Sequence, residues 1–358
     1  MSALLFVPLD QFQQANIYRY RENGWTLYSF VPFNIYCIGI LGVFGVIIAI
    51  FSTMYAGHLV MVPFYAVTLA VTIYLSGTLR GIANNLDYRW LAVAFGIADS
   101  VLRVVFLYAY SRLFTPHPED ILLTTSLAGA VVAAGMISIF SRLNIWGGGE
   151  MKQIYPRDFF KFAWPISVGA GLNWIQIHAA RFLVPLGFTQ TIGIYGTVSA
   201  VGVAGMTSAG SVVQTIFMPE LYKTYGRSMK KYIGLVVSMI VFVFIVSIFI
   251  ARPLISLLTE PKFVPFSYCV LFGIVIEGGS IILGGLGAYL QIHHRTDLGL
   301  GVGIIGFLAS LIPIVTLYHL QAISPFSLGI SAIFAQFTTV VYMFVVYFRL
   351  RRSHEQPA

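Results

Sequence analysis

The sequence predicts an all-α polytopic membrane protein, with ten full spans preceded by an N-terminal partial span. Two observations carry this. Only 9% of the 358 residues are charged, where a soluble domain of this size needs about 25% to cover its surface. Apolar runs also recur at about the 20-residue length of a bilayer-crossing helix. The 58% hydrophobic content, mean hydropathy of +0.84 and 15% aromatic content fit a helical bundle with interfacial aromatic belts.

In chain order, the full spans are expected at 30–52, 58–79, 89–110, 120–141, 162–186, 191–217, 231–251, 264–290, 297–319 and 324–348. Residues 1–17, MSALLFVPLDQFQQANI, are too short and too mixed for a full span and read as the second half of one. Asp10 then sits at the interface, solvated. No cleavable signal peptide is visible, since the start lacks a basic region and a small-residue cleavage site.

The loops test this assignment through the excess of Lys and Arg on the cytoplasmic side. With residues 18–29 cytoplasmic and strict alternation thereafter, 16 of the 21 Lys and Arg fall on the cytoplasmic side and 3 on the outer side, leaving Arg103 and Arg181 within spans. The C-terminus is therefore expected in the cytoplasm. The net charge of +8 reflects this placement and does not indicate nucleic acid as a partner. The bilayer is the expected partner.

The longest polar connection, RLNIWGGGEMKQIYPRDFFK, divides the chain into an N-terminal lobe, 1–150 (the fragment and four spans), and a C-terminal lobe, 151–358 (six spans). NIYRYRENGWTLYSF and MPELYKTYGRSMKKYIG are both Tyr- and Arg/Lys-rich cytoplasmic loops that lead into a span. If the two are equivalent, the first lobe lacks one span and part of another.

Charges inside spans point to function, each with a partner to be named. His178 and Arg181 are three apart and share a helix face in the middle of an apolar run, with Trp174 one turn before and Asn173 and Gln176 nearby. Either this face packs on a neighbouring helix, or it lines a wet cavity that attracts an anion such as a phosphate headgroup. Asp99 and Arg103 are four apart, read either as a mutually neutralising pair or as a switch in which Asp99 takes part in ion coupling. Glu277, among Gly278, Gly279, Gly284, Gly285 and Gly287, is the other candidate for ion coupling; protonation and pairing with Arg181 both stay open. The glycine-rich span at 193–213 reads mainly as tight helix packing.

No enzyme motif, cofactor site or metal site is expected. The histidines lack metal-ligand spacing, Cys37 and Cys269 lie inside spans, and LGVGIIG at 300–306 lies in a span rather than after a strand. Membrane glycosyltransferases and polymerases carry larger polar domains than the longest polar stretch here.

The layout, with the run WPISVGAGLNWIQIHAARFLVPLGFTQTIGIYGTVSAV and the later MPELYK, resembles the Wzx-type polysaccharide and O-antigen flippases of the multidrug/oligosaccharidyl-lipid/polysaccharide exporter superfamily. The matching positions are Arg181-Phe182-Leu183-Val184, the turn from Pro185 to Thr191, and Gly193-Ile194-Tyr195. The family often has Asp before that Arg; this chain has Ala180. The resemblance places Met1 inside the family's second span, through an incomplete lobe or a misplaced start.

The resemblance implies two helical lobes around a central cavity that opens alternately to each side of the bacterial inner (plasma) membrane. The expected substrate is an undecaprenyl-pyrophosphate-linked oligosaccharide, held by Arg181, His178, Arg103, Asn173 and Gln176. A polysaccharide polymerase and a chain-length regulator are the expected protein partners. Two other readings stand beside it: a cation-coupled multidrug exporter of the same superfamily, and a truncated, non-transporting partner of polysaccharide assembly.

Overall fold

A computed structural model of the chain describes residues 11–17, 61–114, 120–145 and 156–355, with scattered positions between 30 and 50. The described residues are helical, with connecting turns. The helices are α1 (Met61–Asn85), α2 (Arg89–Leu113), α3 (Asp120–Arg142), α4 (Pro156–His178), α5 (Thr189–Lys223), α6 (Met229–Leu258), α7 (Cys269–Ile292), α8 (Thr296–His319) and α9 (Pro325–Glu355). Short 3₁₀ segments, Ala179–Leu186 and Pro261–Phe266, precede α5 and α7. Among the described residues, α2, α3 and α5 to α9 are long and apolar enough to cross a membrane. α1 and α4, at 25 and 23 residues, have the length as well. Asp10, Cys37 and most of the span expected at 30–52 lie outside the described residues.

The chain divides into two compact units, Met1–Trp164 and Pro165–Ala358. The division falls inside α4, at a proline that leaves the carbonyl four residues earlier without its helical donor. The first turns of α4 belong to the N-terminal unit, where Phe159 and Phe162 pack edge-on against Phe12 at 5.5 and 5.3 Å.

In the N-terminal unit, residues 11–17 are helical and turn their amides inward. Gln13 is 1% exposed and donates from Nε2 to Asn34 Oδ1 and to the Tyr74 hydroxyl, both at 2.8 Å. Asn85 donates to Gln14. The polarity of this fragment thus belongs to a buried network, which explains how so mixed a stretch sits in the core.

The C-terminal unit is built around α7, the most buried of the spanning helices. Lipid removes the hydrophobic drive between helices, so close approach depends on small residues. α5 and α7 cross reciprocally: a Cβ at Gly202 would overlap the Val270 carbonyl, and one at Gly273 would overlap the Ser199 carbonyl. Gly278 and Gly285 make room for Ile240 and Tyr232 of α6, and Tyr232 donates its hydroxyl to Ile281 O at 3.1 Å. The glycine cluster around Glu277 is in this respect a packing feature.

The two units repeat one another at a constant spacing of 207 residues. Asp87 and His294 both have positive φ, 66° and 54°, at the ends of α1 and α7. Tyr88 N donates to Ala83 O at 2.9 Å, and Arg295 N to Leu290 O at 2.8 Å. Tyr88 and Arg295, as N-caps of α2 and α8, share ψ 47°. One contact is exchanged knob for hole. Thr72 of α1 fits against Gly129 of α3, whereas at the matching pair Gly279 of α7 receives Gln336 of α9. These matches lie in α1–α3 and α7–α9; the first of the two basic loops, at 18–29, lies outside the described residues.

Candidate functional site: polar faces of the C-terminal unit

Asp99 and Arg103 form a two-pronged pair within α2. Arg103 donates from Nε to Asp99 Oδ1 at 3.2 Å and from Nη2 to Oδ2 at 2.7 Å, and Asp99 is 4% exposed. The pair that both readings of this spacing start from is the arrangement present. The fork satisfies the carboxylate and spares a bare charge in hydrocarbon.

The span expected at 162–186 is not one continuous α-helix. α4 ends at His178, and the chain tightens into the 3₁₀ segment Ala179–Leu186, closed by Gly187 at φ 95°. Pro185 lacks the N–H that a continuing α-helix would need there. From Phe162, sixteen α-helical steps and three 3₁₀ steps advance the chain by about 30 Å, one hydrocarbon thickness. Arg181 lies about that length along the chain from Phe162, in the 3₁₀ segment rather than in α4. Three-residue spacing keeps His178 and Arg181 on one face in a 3₁₀ turn. Trp174 and His178 meet edge to face at 4.9 Å. Arg181 is exposed, with no hydrogen bond or ion pair among the described residues.

Gln176 faces the other way. Two helical steps rotate it about 200° from Trp174, and it is 8% exposed. Its Nε2 donates to Gln336 Oε1 at 3.3 Å and lies 3.4 Å from Thr339 Oγ1. Gln336 Nε2 in turn donates to Ser280 Oγ at 3.4 Å. The Gln176 Oε1 packs on Gly306, where any Cβ would overlap it. This cluster joins α4, α7, α8 and α9. Its partners lie 160 residues from Gln176 in sequence, and only their polarity inside an apolar span marks them. Asn173 is half-buried.

Glu277 accepts a hydrogen bond from Thr207 Oγ1 at 3.0 Å; Thr207, not Arg181, is its partner among the described residues. Thr207 belongs to an exposed stripe on α5 that also carries Gly196, Thr197, Ala200, Ala204, Ser208 and Ser211. The exposed side of α6 is instead Val241, Phe242, Ile245, Ile248 and Phe249. The α6 surface suits acyl chains. A stripe of hydroxyls beside a carboxylate suits water or a polar substrate. The glycine-rich span is accordingly divided: Gly202 and Gly210 pack tightly, while Gly193, Gly196 and Gly205 have nothing within 4 Å of a Cβ. The sequence signal for the stripe was the 3–4 residue spacing of hydroxyls and small residues, absorbed above into packing.

These features define a polytopic helical membrane protein made of two repeated units. No protein-family model matches the sequence, and no curated protein matches it. Solved structures do match. A point mutant of the Vibrio cholerae MATE transporter VcmN superposes with a TM-score of 0.75 at 14% identity, over 98% of this chain and 86% of that one. An outward-facing multidrug resistance MATE family transporter of the MOP superfamily gives 0.70 at 12%, over 99% and 84%. A MOP superfamily transporter from Pyrococcus furiosus, described as having a binding pocket of reverse polarity that suggests a different function, gives 0.65 at 12%, over 98% and 85%. The chain has the fold of the MATE transporters of the MOP superfamily.

Proposed function

We propose that the protein is a transporter of this superfamily and that it flips undecaprenyl-pyrophosphate-linked oligosaccharides across the bacterial inner membrane for surface polysaccharide synthesis. Transport is supported by the fold and its internal repeat. The choice of an anionic lipid-linked substrate rests on Arg181, an exposed guanidinium with His178 on the same face. A pyrophosphate cannot enter hydrocarbon bare, since an unpaired buried charge costs many kcal/mol. A guanidinium fork replaces part of its lost hydration. A polysaccharide polymerase and a chain-length regulator are the protein partners this reading carries.

The test is complementation of a flippase-deficient strain. The wild-type chain should restore surface polysaccharide, Arg181→Ala should lose at least tenfold, and Arg181→Lys should recover part of it. Full export by Arg181→Ala would remove the headgroup role.

A second reading, a cation-coupled multidrug exporter, is favoured by Glu277 and Thr207 on the open face of α5. Raised drug tolerance on expression, lost in Glu277→Gln and with no polysaccharide phenotype, selects that reading. Failure of both assays with folded protein in the membrane leaves the non-transporting partner.

A further inference from the structure

Many glycines of the C-terminal unit make room for a neighbour, but Gly234 of α6 is exposed, with nothing within 4 Å of the position a Cβ would take. Glycine inside a helix costs stability relative to alanine, and no neighbour among the described residues calls for it here. Ser238, one turn along, is also exposed, and its hydroxyl donates to Gly234 O at 2.9 Å. The pair leaves a shallow polar notch on the outer face of α6; the inner face carries Tyr232 and Ile240, which meet Gly285 and Gly278 of α7. The notch separates two unlike surfaces. On one side Lys230 and Lys231 at the start of α6, and Arg227 in the turn before it, are exposed and make no hydrogen bond or ion pair among the described residues. The sequence holds no acid between Glu220 and Glu260. At the start of α8, in contrast, Arg295 is paired with Asp297 at 3.2 Å. On the other side of the notch lie exposed Val241, Phe242, Ile245 and Phe249. Steps of three or four residues place Lys231, Ser238, Phe242, Ile245 and Phe249 on one stripe. Along it Ser238 lies about 10 Å from Lys231, and Phe242 about 16 Å.

We infer that this face of α6 binds an anionic phospholipid. Its phosphate meets Arg227, Lys230 and Lys231, its glycerol esters lie over Gly234 and Ser238, and its acyl chains run along the apolar residues beyond. Cations, small polar groups and an apolar wall follow one another along α6 in the order of phosphate, ester and chain in the lipid. Each Lys or Arg at the membrane surface adds attraction for anionic headgroups. A zwitterionic headgroup would instead bring an amine among three cations. A polyprenyl phosphate has no ester layer to place over the notch, and an acidic peptide would meet the cations but leave the apolar wall bare. The inference does not rest on the transport reading.

The test uses the full chain lacking Cys37 and Cys269, with a bimane fluorophore on Val241→Cys, in mixed vesicles of phosphatidylcholine and phosphatidylglycerol. Phosphatidylglycerol with a doxyl group on its acyl chain should quench the fluorophore several-fold more than phosphatidylcholine labelled in the same way. The two lipids should quench equally at Ile304→Cys, an exposed position of α8. Equal quenching at 241 would overturn the proposal. So would the same preference at 304, which would show that net charge alone gathers anionic lipid. Arg227→Gln with Lys230→Gln and Lys231→Gln should abolish the preference at 241, whereas the same charge loss through Arg142→Gln, Arg349→Gln and Arg352→Gln should leave it. Gly234→Leu, a position with room for the side chain, should weaken the preference with every cation in place, which keeps the site testable if the triple variant fails to fold. A full preference in either the triple variant or Gly234→Leu would overturn the site.

Discussion

Arg103 owes its place to Asp99, and the energetics of that pair are asymmetric. Removing one partner strands the other in a low-dielectric setting, at about 3–5 kcal/mol for a fully buried pair. Arg103 is one-third exposed, which puts Arg103→Ala nearer about 2 kcal/mol. Its thermal unfolding in detergent should therefore move down clearly, while Asp99→Asn with Arg103→Gln should restore most of the loss. An unchanged transition for Arg103→Ala would contradict a stabilising role for the pair. Gln336 should behave more gently. Gln336→Leu leaves Gln176 Nε2 short of an acceptor, and interhelical hydrogen bonds in membranes are worth about 0.6 kcal/mol and rarely beyond about 1.7. A shift of a few degrees is expected, and a collapse of folding would show that the cluster does more than join helices.

At the scale of elements, α5 serves two neighbours with two faces. Gly202 lies against the α7 backbone and Gly205, one turn along, is open. Overpacking a close backbone crossing costs about 1–3 kcal/mol or more. Gly202→Val should lower the monodisperse fraction on fluorescence-detected gel filtration sharply, and Gly205→Val should leave it near wild type. Equal behaviour of the two would contradict the crossing. The same two-faced logic applies to α4, whose Trp174 and His178 look outward while Gln176 looks into the core. Hydropathy predicts a span over 162–186, most of it in α4, because apolar length is a local property. It placed Asn173, Gln176, His178 and Arg181 together because proximity in sequence does not resolve helix faces. The 3₁₀ segment was equally hidden, since its residues are as apolar as those of α4.

For the whole molecule, the charge bias of the loops predicts a cytoplasmic C-terminus. Green fluorescent protein fused after Ala358 should fluoresce, and alkaline phosphatase fused after Gln190 should be active. The reverse pattern would overturn the alternation of spans. The repeat adds a constraint that loop charges cannot supply. Matching positions 207 residues apart carry different residues, such as Thr72 and Gly279 or Gly129 and Gln336, so the two units hold one geometry with knobs and holes exchanged. Sequence comparison within the chain sees little of this, because a close contact needs one small partner and either helix can provide it.

The amino-acid sequence by itself determined that this chain lives in a bilayer and roughly which segments are apolar enough to cross it. Apolar length, loop charge and turn residues act locally and can be read along the chain. Only the tertiary structure decided that Asp99 is held by Arg103, that Gln176 is a core residue and that Glu277 meets Thr207. Those outcomes depend on which helix faces meet, and faces meet through packing between residues far apart in the chain.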